Sequence, residues 1–260
     1  MEKSQVTSQK SKVREAPASK VETPEKLAFP KCVRLESKPH LFCPGCGHPE
    51  VLKAFGFAVD ALGIQRKVAF GVDIGCSLLA FDFFNIDTIE THHGRTVPVM
   101  VGIQRANPEA VAVAYVGDGG AYAIGLGSLM NSAIRNDNVF TIVVNNAVYA
   151  MTGGQEAPTT LPHMKTKTSP YGADDAFIRG PDLIRKVNPQ AWVARGITTR
   201  QLELRDLMRE AFEHVMAKKG MAFLEVLSPC TLNWGTIDDP HRTFEILEKE
   251  LASVYKLGKF

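Results

Sequence analysis

Apolar residues along the chain form two kinds of pattern: short continuous runs, and stretches in which they recur every three or four positions. The runs at 111–116 (VAVAYV) and 139–145 (VFTIVVN) are rich in β-branched residues and predict buried strands. The stretch between them has helical spacing. A glycine-rich turn, GDGG at 117–120, separates the first strand from that helix. This order predicts an α/β fold with a mostly parallel sheet flanked by helices.

The same patterns predict further elements on both sides of this unit. A helix follows His48, has Pro49 in its first turn and stops at Gly63. A strand that starts at Val68 ends at the GCS sequence of 75–77. The polar, glycine-rich stretch 151–172 predicts a long loop of the kind that carries function. Further along, the patterns predict a helix after the turn at 92–95, a helix and a short strand within 180–198, an amphipathic helix within 199–220, a strand at 221–230 and a terminal helix at 243–257.

Composition divides the chain into three parts. Residues 1–28 are mostly Lys, Glu, Ser, Thr and Pro and predict a flexible tail. Residues 29–235 form the predicted core domain, and 236–260 form a helical extension that packs on this core or on a partner. A length of 260 residues with 45% hydrophobic content allows one sizeable α/β core.

Charge and hydropathy exclude several classes of partner. The net charge of +2 favours neither nucleic acid nor a membrane surface. No apolar run approaches the roughly 20 residues that a membrane-spanning helix needs. The N-terminus lacks the apolar core of a secretory signal, so we expect a cytoplasmic protein.

The turn at 117–120 has the chemistry of a phosphate site, because turn amides and free helix N–H groups point at the same spot. Asp118 adds a carboxylate that would repel a bare phosphate, so we expect a divalent cation between the two. Hard oxygen ligands suit Mg²⁺. Asn145 and Asn146 end the next strand and offer amide oxygens at the same sheet edge. The alternative is an ordinary strand–helix turn with a capping Asp.

Five cysteines in a chain without a secretory signal indicate metal or redox chemistry more than disulfides. Cys43 and Cys46 form a C-P-G-C-G loop, which is compatible with a redox dithiol, half of a zinc site or half of an iron–sulfur site. Cys76 and Cys230 each lie at the end of a predicted strand and could complete a metal site. Cys32 fits no such spacing and is predicted to be a bystander.

Five motifs in order resemble the β subunit of the 2-oxoacid:ferredoxin (acceptor) oxidoreductases over residues 40–235. GDG followed by NN, with 28 positions from Asp118 to Asn146, is similar to the signature of thiamine diphosphate (TPP) enzymes. The family often has Trp where this chain has Phe42. The motifs are FCPGCGHPE, IGCS, HHGRTVPVMVGI, GDGGAYAIG and NNAVYAMTGGQEAPTTLPHMKTKTSPYG.

The resemblance implies that residues 29–235 form a TPP diphosphate-binding domain with a loop that binds an iron–sulfur cluster. It also implies roles for individual residues of this domain. It implies that Mg²⁺ is held by Asp118, the Asn146 side chain and the Val148 carbonyl. It implies that the TPP diphosphate is lined by Ile74, Gly75, Cys76, Ser77, His93, Gly117, Gly119, Gly120, Ala150 and Met151. It implies a [4Fe–4S] cluster, next to the thiazolium ring, on Cys43, Cys46, Cys76 and Cys230. Independently of the family, His93 and Arg95 could meet a diphosphate, although a single His is more often structural.

The activity implied is oxidative decarboxylation of a 2-oxoacid, with TPP as the source of the carbanion and coenzyme A as co-substrate. Electrons would leave through the cluster to ferredoxin or a flavin/NAD module. The pyrimidine-binding domain and its activating Glu would come from a separate α subunit, since neither Glu90 nor Glu156 is assigned this role. A γ subunit and a ferredoxin-like δ subunit are further expected partners. We therefore expect the chain to be inactive alone.

The residues after Cys76 bear on the substrate. Their apolar character favours a branched-chain or aryl 2-oxoacid over 2-oxoglutarate, whose distal carboxylate wants a cation, or pyruvate. Packing in the core is an equally good explanation. These residues are Leu78, Leu79, Phe81, Phe83 and Phe84. Two other functions stay open: a nonredox TPP-dependent decarboxylase or synthase, which leaves four cysteines unexplained, and a non-enzymatic module stapled by zinc.

Overall fold

A computed structural model of the chain describes residues 29–37, 39–174 and 176–260. The predicted tail, 1–28, lies outside the described residues. The strands are β1 (Val68–Val72), β2 (Asp87–Glu90), β3 (Val111–Gly117), β4 (Phe140–Asn145), β5 (Val148–Tyr149), β6 (Gln155–Glu156), β7 (Trp192–Ile197), β8 (Ala222–Leu227) and β9 (Gly258–Lys259). The α-helices are α1 (His48–Leu62), α2 (Thr96–Ala106), α3 (Leu126–Ile134), α4 (Gly180–Val187), α5 (Gln201–Met216), α6 (Pro240–Glu245) and α7 (Ala252–Val254). No helix in the described ranges combines the length and apolar character needed to cross a membrane.

The main sheet that the described residues form has seven strands in the order β2-β1-β3-β4-β8-β7-β9. All neighbours are parallel except β9, which runs antiparallel to β7. The predicted mostly parallel sheet is confirmed. The chain leaves β1 towards β2 on one side and returns to β3 on the other, so the strand order reverses between β1 and β3. In open parallel sheets, ligands bind at such a reversal, beyond the carboxyl ends of the strands.

Both faces of the sheet are covered, which explains why the central strands read as continuous apolar runs. Along β3, Val113 and Tyr115 belong to a core shared with α1 and α5. The alternate residues Ala112 and Ala114 belong to a second core shared with α2, α3 and α4. This alternation follows from the two-residue repeat of a strand.

Several elements differ from the patterns read in the sequence. The strand expected to run to the GCS sequence ends at Val72, and a 3₁₀ turn, Cys76–Ala80, follows. The chain after β3 first makes a π-helical turn, Gly120–Ile124, and α3 begins only at Leu126. β2, β9 and the antiparallel β5–β6 hairpin were not predicted. They are short or polar and carry no clear alternation of apolar residues, so the hydrophobic pattern does not reveal them.

The segment after residue 236 contributes to the core and to the sheet. The terminal helix expected at 243–257 is α6, a π-helical stretch Ile246–Leu251 and α7 in succession. Leu251 and Tyr255 are fully buried in a third apolar cluster. β9 then closes the edge of the sheet next to β7.

Candidate active site

An open cleft with about 600 Å³ of free space lies beyond the carboxyl ends of β1, β3 and β4. It brings together all three predicted magnesium ligands and nine of the ten predicted cofactor-lining residues. Ser77 is the exception. Its buried hydroxyl lies behind Gly117 and has no hydrogen-bond partner in the part of the chain that the structure describes. The cleft is lined by His48, Ile74, Gly75, Cys76, His93, Gly117, Asp118, Gly119, Gly120, Asn146, Val148, Tyr149, Ala150, Met151 and Thr152.

Asp118 lies at the base of the cleft and is only 4% exposed. One carboxylate oxygen accepts a hydrogen bond from the Gly119 N–H at 2.8 Å, and the other from the Thr159 hydroxyl at 2.6 Å. Burial raises the pKa of Asp118 to about 6, against the opposing effect of these two hydrogen bonds. A buried carboxylate of this kind is stabilised by a cation. Together with the amide oxygen of Asn146 and the carbonyl of Val148 it forms a set of hard donors that suits Mg²⁺.

The glycines of the GDGG turn leave no room for side chains. A Cβ on Gly119 would lie 2.2 Å from the Tyr149 ring, and one on Gly120 would lie 2.0 Å from Asp73 Oδ2. The turn therefore lines the cleft with bare backbone at these two positions, and the Gly119 N–H is already hydrogen-bonded to Asp118. A glycine-rich turn at the start of a helical segment allows close approach of a diphosphate to the backbone.

Asp73, which follows β1, holds one wall of the cleft and was missed by sequence reasoning. It is fully buried, and it accepts hydrogen bonds from the Gly94 N–H at 2.7 Å and the Thr96 hydroxyl at 3.1 Å. His93 Nδ1 lies 3.0 Å from its other oxygen. The carboxylate thus orients the imidazole and leaves Nε2 for the cleft. Burial raises the pKa of Asp73, against these hydrogen bonds.

Two further positions change the sequence-based picture of the site. Arg95 does not line the cleft: its guanidinium donates to the carbonyls of Gly94 and Ile124, so the expectation that it meets a diphosphate is not supported. His48 does line it, although sequence reasoning placed this residue only at the start of a helix. Its Nδ1 lies 2.7 Å from the Tyr115 hydroxyl, and complete burial lowers its pKa to about 3, so the ring is neutral.

The CPGC loop is clamped against the segment that follows β8. The Gly47 N–H donates to the Pro229 carbonyl at 3.2 Å, and the Thr231 hydroxyl donates to the Pro44 carbonyl at 2.7 Å. A Cβ on Gly47 would lie 2.3 Å from Ser228 Oγ, so only glycine permits this approach. The clamp holds Cys43 and Cys46 beside Cys230, and Cys76 reaches the same region from the end of β1.

All four of these cysteines are free thiols. They lie close enough for the charge on one thiolate to affect the pKa of another. Burial raises the pKa of Cys76 to about 12, and Cys46, Cys230 and Cys43 add to the effect. Burial also raises the pKa of Cys46 to about 12, with contributions from Cys230 and Cys43. Within the described residues no group of three or more His, Cys, Asp or Glu side chains is drawn together tightly enough for a single metal ion. A tetranuclear cluster binds each thiolate through a different iron, so it needs wider spacing than one ion does.

Cys32 lies apart from this group. Its thiol is fully buried 3.6 Å from the Gly56 carbonyl, and burial with the nearby Asp60 raises its pKa to about 12. None of the other four cysteines contributes to that shift. The geometry agrees with the bystander role expected from its spacing.

Comparison with known proteins shows the class of this site. Residues 73–226 match the family described as thiamine pyrophosphate enzyme, C-terminal TPP binding domain. The chain therefore contains a TPP-binding domain, and most residues that line the cleft beyond β1, β3 and β4 lie within the matched range.

The relatives of this chain show to which family of TPP-binding proteins it belongs. The chain is 37% identical over 226 residues to the ketoisovalerate oxidoreductase subunit VorA of Methanothermobacter thermautotrophicus, covering 84% of this chain and 47% of that protein. It is 35% identical over 207 residues to the 2-oxoglutarate synthase subunit KorB of the same organism, covering 78% of this chain and 70% of that protein. This chain belongs to the β subunits of the 2-oxoacid:ferredoxin oxidoreductase family. It spans about half the length of the VorA relatives that it matches.

A solved structure has the same fold. It is described as 2-oxoglutarate:ferredoxin oxidoreductase from Magnetococcus marinus with 2-oxoglutarate, coenzyme A and succinyl-CoA bound. The TM-score is 0.71 at 30% sequence identity, and the match covers 77% of this chain and 67% of that one.

Proposed function

We propose that this chain is the subunit that carries TPP, Mg²⁺ and a [4Fe–4S] cluster in a 2-oxoacid:acceptor oxidoreductase. The enzyme would convert a 2-oxoacid and coenzyme A to acyl-CoA and CO₂, and electrons would pass to ferredoxin or another acceptor. One observation carries the proposal: Cys76 lines the TPP cleft and is at the same time a neighbour of Cys43, Cys46 and Cys230. A cluster on these thiols would lie directly beside the cofactor.

The chain has a set of residues that would hold Mg²⁺ and another that would hold the TPP diphosphate. Asp118, Asn146 and Val148 would offer the oxygen ligands for Mg²⁺, and the backbone of the turn at Gly119 and Gly120 would lie beside the diphosphate. When bound, TPP supplies the carbanion chemistry and the cluster supplies a one-electron exit. The chain itself contributes position and electrostatics. The buried, neutral His48 and the oriented His93 add two polar groups to the lining of the cleft.

The activating carboxylate would come from a partner. No Glu of the described residues lines the cleft. Glu90 lies in a separate surface groove with Leu41 and Phe81, and Glu156 accepts a hydrogen bond from the Ser169 hydroxyl. This arrangement supports an α subunit that brings the pyrimidine-binding domain and its Glu, and it supports the expectation that the chain is inactive alone. The proposed γ and δ subunits rest on the resemblance to the family and not on the cleft.

The substrate proposal rests on the cleft and no longer on the residues after Cys76. Phe83 and Phe84 are 4% and 1% exposed and pack in the core. Leu78, Leu79 and Phe81 line the surface groove instead of the cleft. No Lys or Arg of the described residues lines the cleft, so nothing there pairs with the distal carboxylate of a dicarboxylate. This favours a branched-chain or aryl 2-oxoacid over 2-oxoglutarate.

The test is to co-express the chain with its partner subunits, purify the complex without oxygen and measure iron and acid-labile sulfide. Cys76→Ser is expected to lose cluster iron and turnover with coenzyme A and a viologen dye, whereas the matched variant Cys32→Ser keeps both. A colourless wild-type complex without iron would favour the nonredox TPP enzyme, and zinc in place of iron would favour the stapled module. Turnover by the chain alone would contradict the partner requirement.

A panel of 2-oxoacids tests the substrate separately. We expect kcat/KM to be higher for 2-oxoisovalerate or phenylglyoxylate than for 2-oxoglutarate and pyruvate. A marked preference for 2-oxoglutarate would show that a cation from another subunit completes the site.

A further inference from the structure

The side chain of Asn233 lies between the cysteine group and the TPP cleft. Its Nδ2 donates a hydrogen bond to the Ala150 carbonyl at 2.9 Å and another to the Cys230 sulfur at 3.3 Å. Ala150 lines the cleft, and Cys230 is one of the four proposed cluster ligands. One amide group therefore touches both proposed cofactor sites.

The surrounding chain fixes this amide in place. A Cβ on Gly154 would lie 2.9 Å from Asn233 Oδ1, so the glycine makes room for the side chain. Gly154 has a φ of +88° and donates its N–H to the Tyr149 carbonyl at 2.8 Å, which closes the loop that carries Ala150. On the other side the Trp234 indole donates to the Asn146 carbonyl at 3.1 Å. Neighbouring side chains 233 and 234 thus both anchor the turn after β8 to the cleft.

A hydrogen bond to a cluster thiolate has a defined electrostatic consequence. Reduction adds negative charge to the cluster, and an N–H donor stabilises that charge more than it stabilises the oxidised state. The donor therefore raises the reduction potential. The second hydrogen bond of the same amide restrains the Ala150 carbonyl, so it also restrains the wall of the cleft next to Met151.

We propose that Asn233 is a positioning residue that couples the two sites, holding the cleft wall through Ala150 and raising the potential of the cluster through Cys230. This inference rests on the proposed function, because it needs a cluster on the four thiols. The residue touches ligands of both cofactors and takes no part in the chemical step.

The test uses the complete complex with three variants. Asn233→Leu removes the donor at similar size, and Asn233→Asp removes it while placing a carboxylate beside the sulfur. Asn131→Leu is the matched control, because that Asn also donates its amide to a backbone carbonyl but lies on α3. The measurements are iron content, the cluster potential by a redox titration followed by electron paramagnetic resonance, and the dissociation constant of TPP in the presence of Mg²⁺.

We expect the potential to be more negative in Asn233→Leu than in wild type, and more negative again in Asn233→Asp. We expect TPP to bind about 2- to 10-fold more weakly in Asn233→Leu, as the loss of one hydrogen bond predicts. Asn131→Leu should change neither quantity. A purely structural role for Asn233 would lower stability without moving the potential.

Four outcomes overturn the inference. An Asn233→Leu complex with full iron content and an unchanged potential overturns it while leaving the proposed function intact. If Asn233→Leu and Asn233→Asp both bind TPP as tightly as wild type, Asn233 does not couple the two sites. Loss of iron from both Asn233 variants, with Asn131→Leu intact, shows that the residue is needed for assembly and not for tuning. A wild-type complex without iron overturns the inference and the proposed function together.

Discussion

Replacing Gly120 with alanine tests whether the turn after β3 is shaped by its contact with Asp73. An added Cβ would lie 2.0 Å from Asp73 Oδ2 and 3.4 Å from the His93 ring. Contacts shorter than 3.0 Å require movement, so the carboxylate must shift by about 1 Å or the turn must open. The carboxylate is not the free end of a flexible chain, because three hydrogen bonds hold it.

The magnitude follows from those hydrogen bonds. Asp73 accepts from the Gly94 N–H, the Thr96 hydroxyl and His93, and it is fully buried. A hydrogen bond to a charged group contributes about 1.5–3 kcal/mol. A displacement that breaks one of the three, with partial relaxation of the rest, should lower the free energy of unfolding by about 2–3 kcal/mol. His93 loses its orientation at the same time, so TPP should bind more weakly.

Chemical unfolding of the variant chain measures the first effect, and TPP titration of the complex measures the second. Gly127→Ala is the matched control, since Gly127 lies exposed on α3 and an added Cβ meets nothing within 4 Å. Alanine in a helix should leave the control unchanged or stabilise it by about 0.5–1 kcal/mol. If Gly120→Ala unfolds at the same denaturant concentration as wild type, the contact with Asp73 does not shape the turn.

Two further predictions concern residues around the cleft. Thr159→Val removes the hydroxyl that donates to Asp118, so TPP affinity in Mg²⁺ should fall roughly 10-fold by titration calorimetry of the complex. Thr88→Val, whose hydroxyl bonds a nearby carbonyl away from the cleft, should not change it; equal affinities for both variants would refute the role. Arg195→Met leaves the buried Glu225 without its 2.5 Å partner and should lower the free energy of unfolding by about 3–5 kcal/mol in urea. If the free energy of unfolding falls by less than about 1 kcal/mol, water reaches Glu225 and the ion pair contributes little.

Much of the cleft could be predicted from the sequence because its main parts are local in the chain. β3, the glycine turn and β4 follow one another, and each has its own signal: β-branched apolar runs for the strands and GDGG for the turn. Since parallel neighbours end at one edge, the pattern alone places Asp118 near Asn146. The ordered motifs then indicated the family.

Other parts of the site depend on contacts that no local pattern encodes. His48 meets Tyr115 across 67 positions of sequence, and the pairing is visible only once α1 packs on β3. Asp73 looks like any polar residue after an apolar strand, and its role emerges from partners some 20 positions later. A signal was present in both cases, because a His or Asp directly bordering a buried element must have a partner. What the sequence did not contain was the identity of that partner.

The C-terminal segment shows how far the support of the cleft extends beyond its lining. Tyr255, from the part of the chain read as an extension, donates its hydroxyl to the Thr159 carbonyl at 2.7 Å, and Thr159 donates in turn to Asp118. The Arg195 guanidinium stacks 5.0 Å from the centre of the Tyr255 ring while it pairs with Glu225 on β8. Asp118 itself is buried, and each of its carboxylate oxygens accepts one of the hydrogen bonds described above. Tyr255 thus holds the backbone of Thr159, whose hydroxyl donates to Asp118, so the orientation of the proposed magnesium ligand depends on a residue that does not line the cleft.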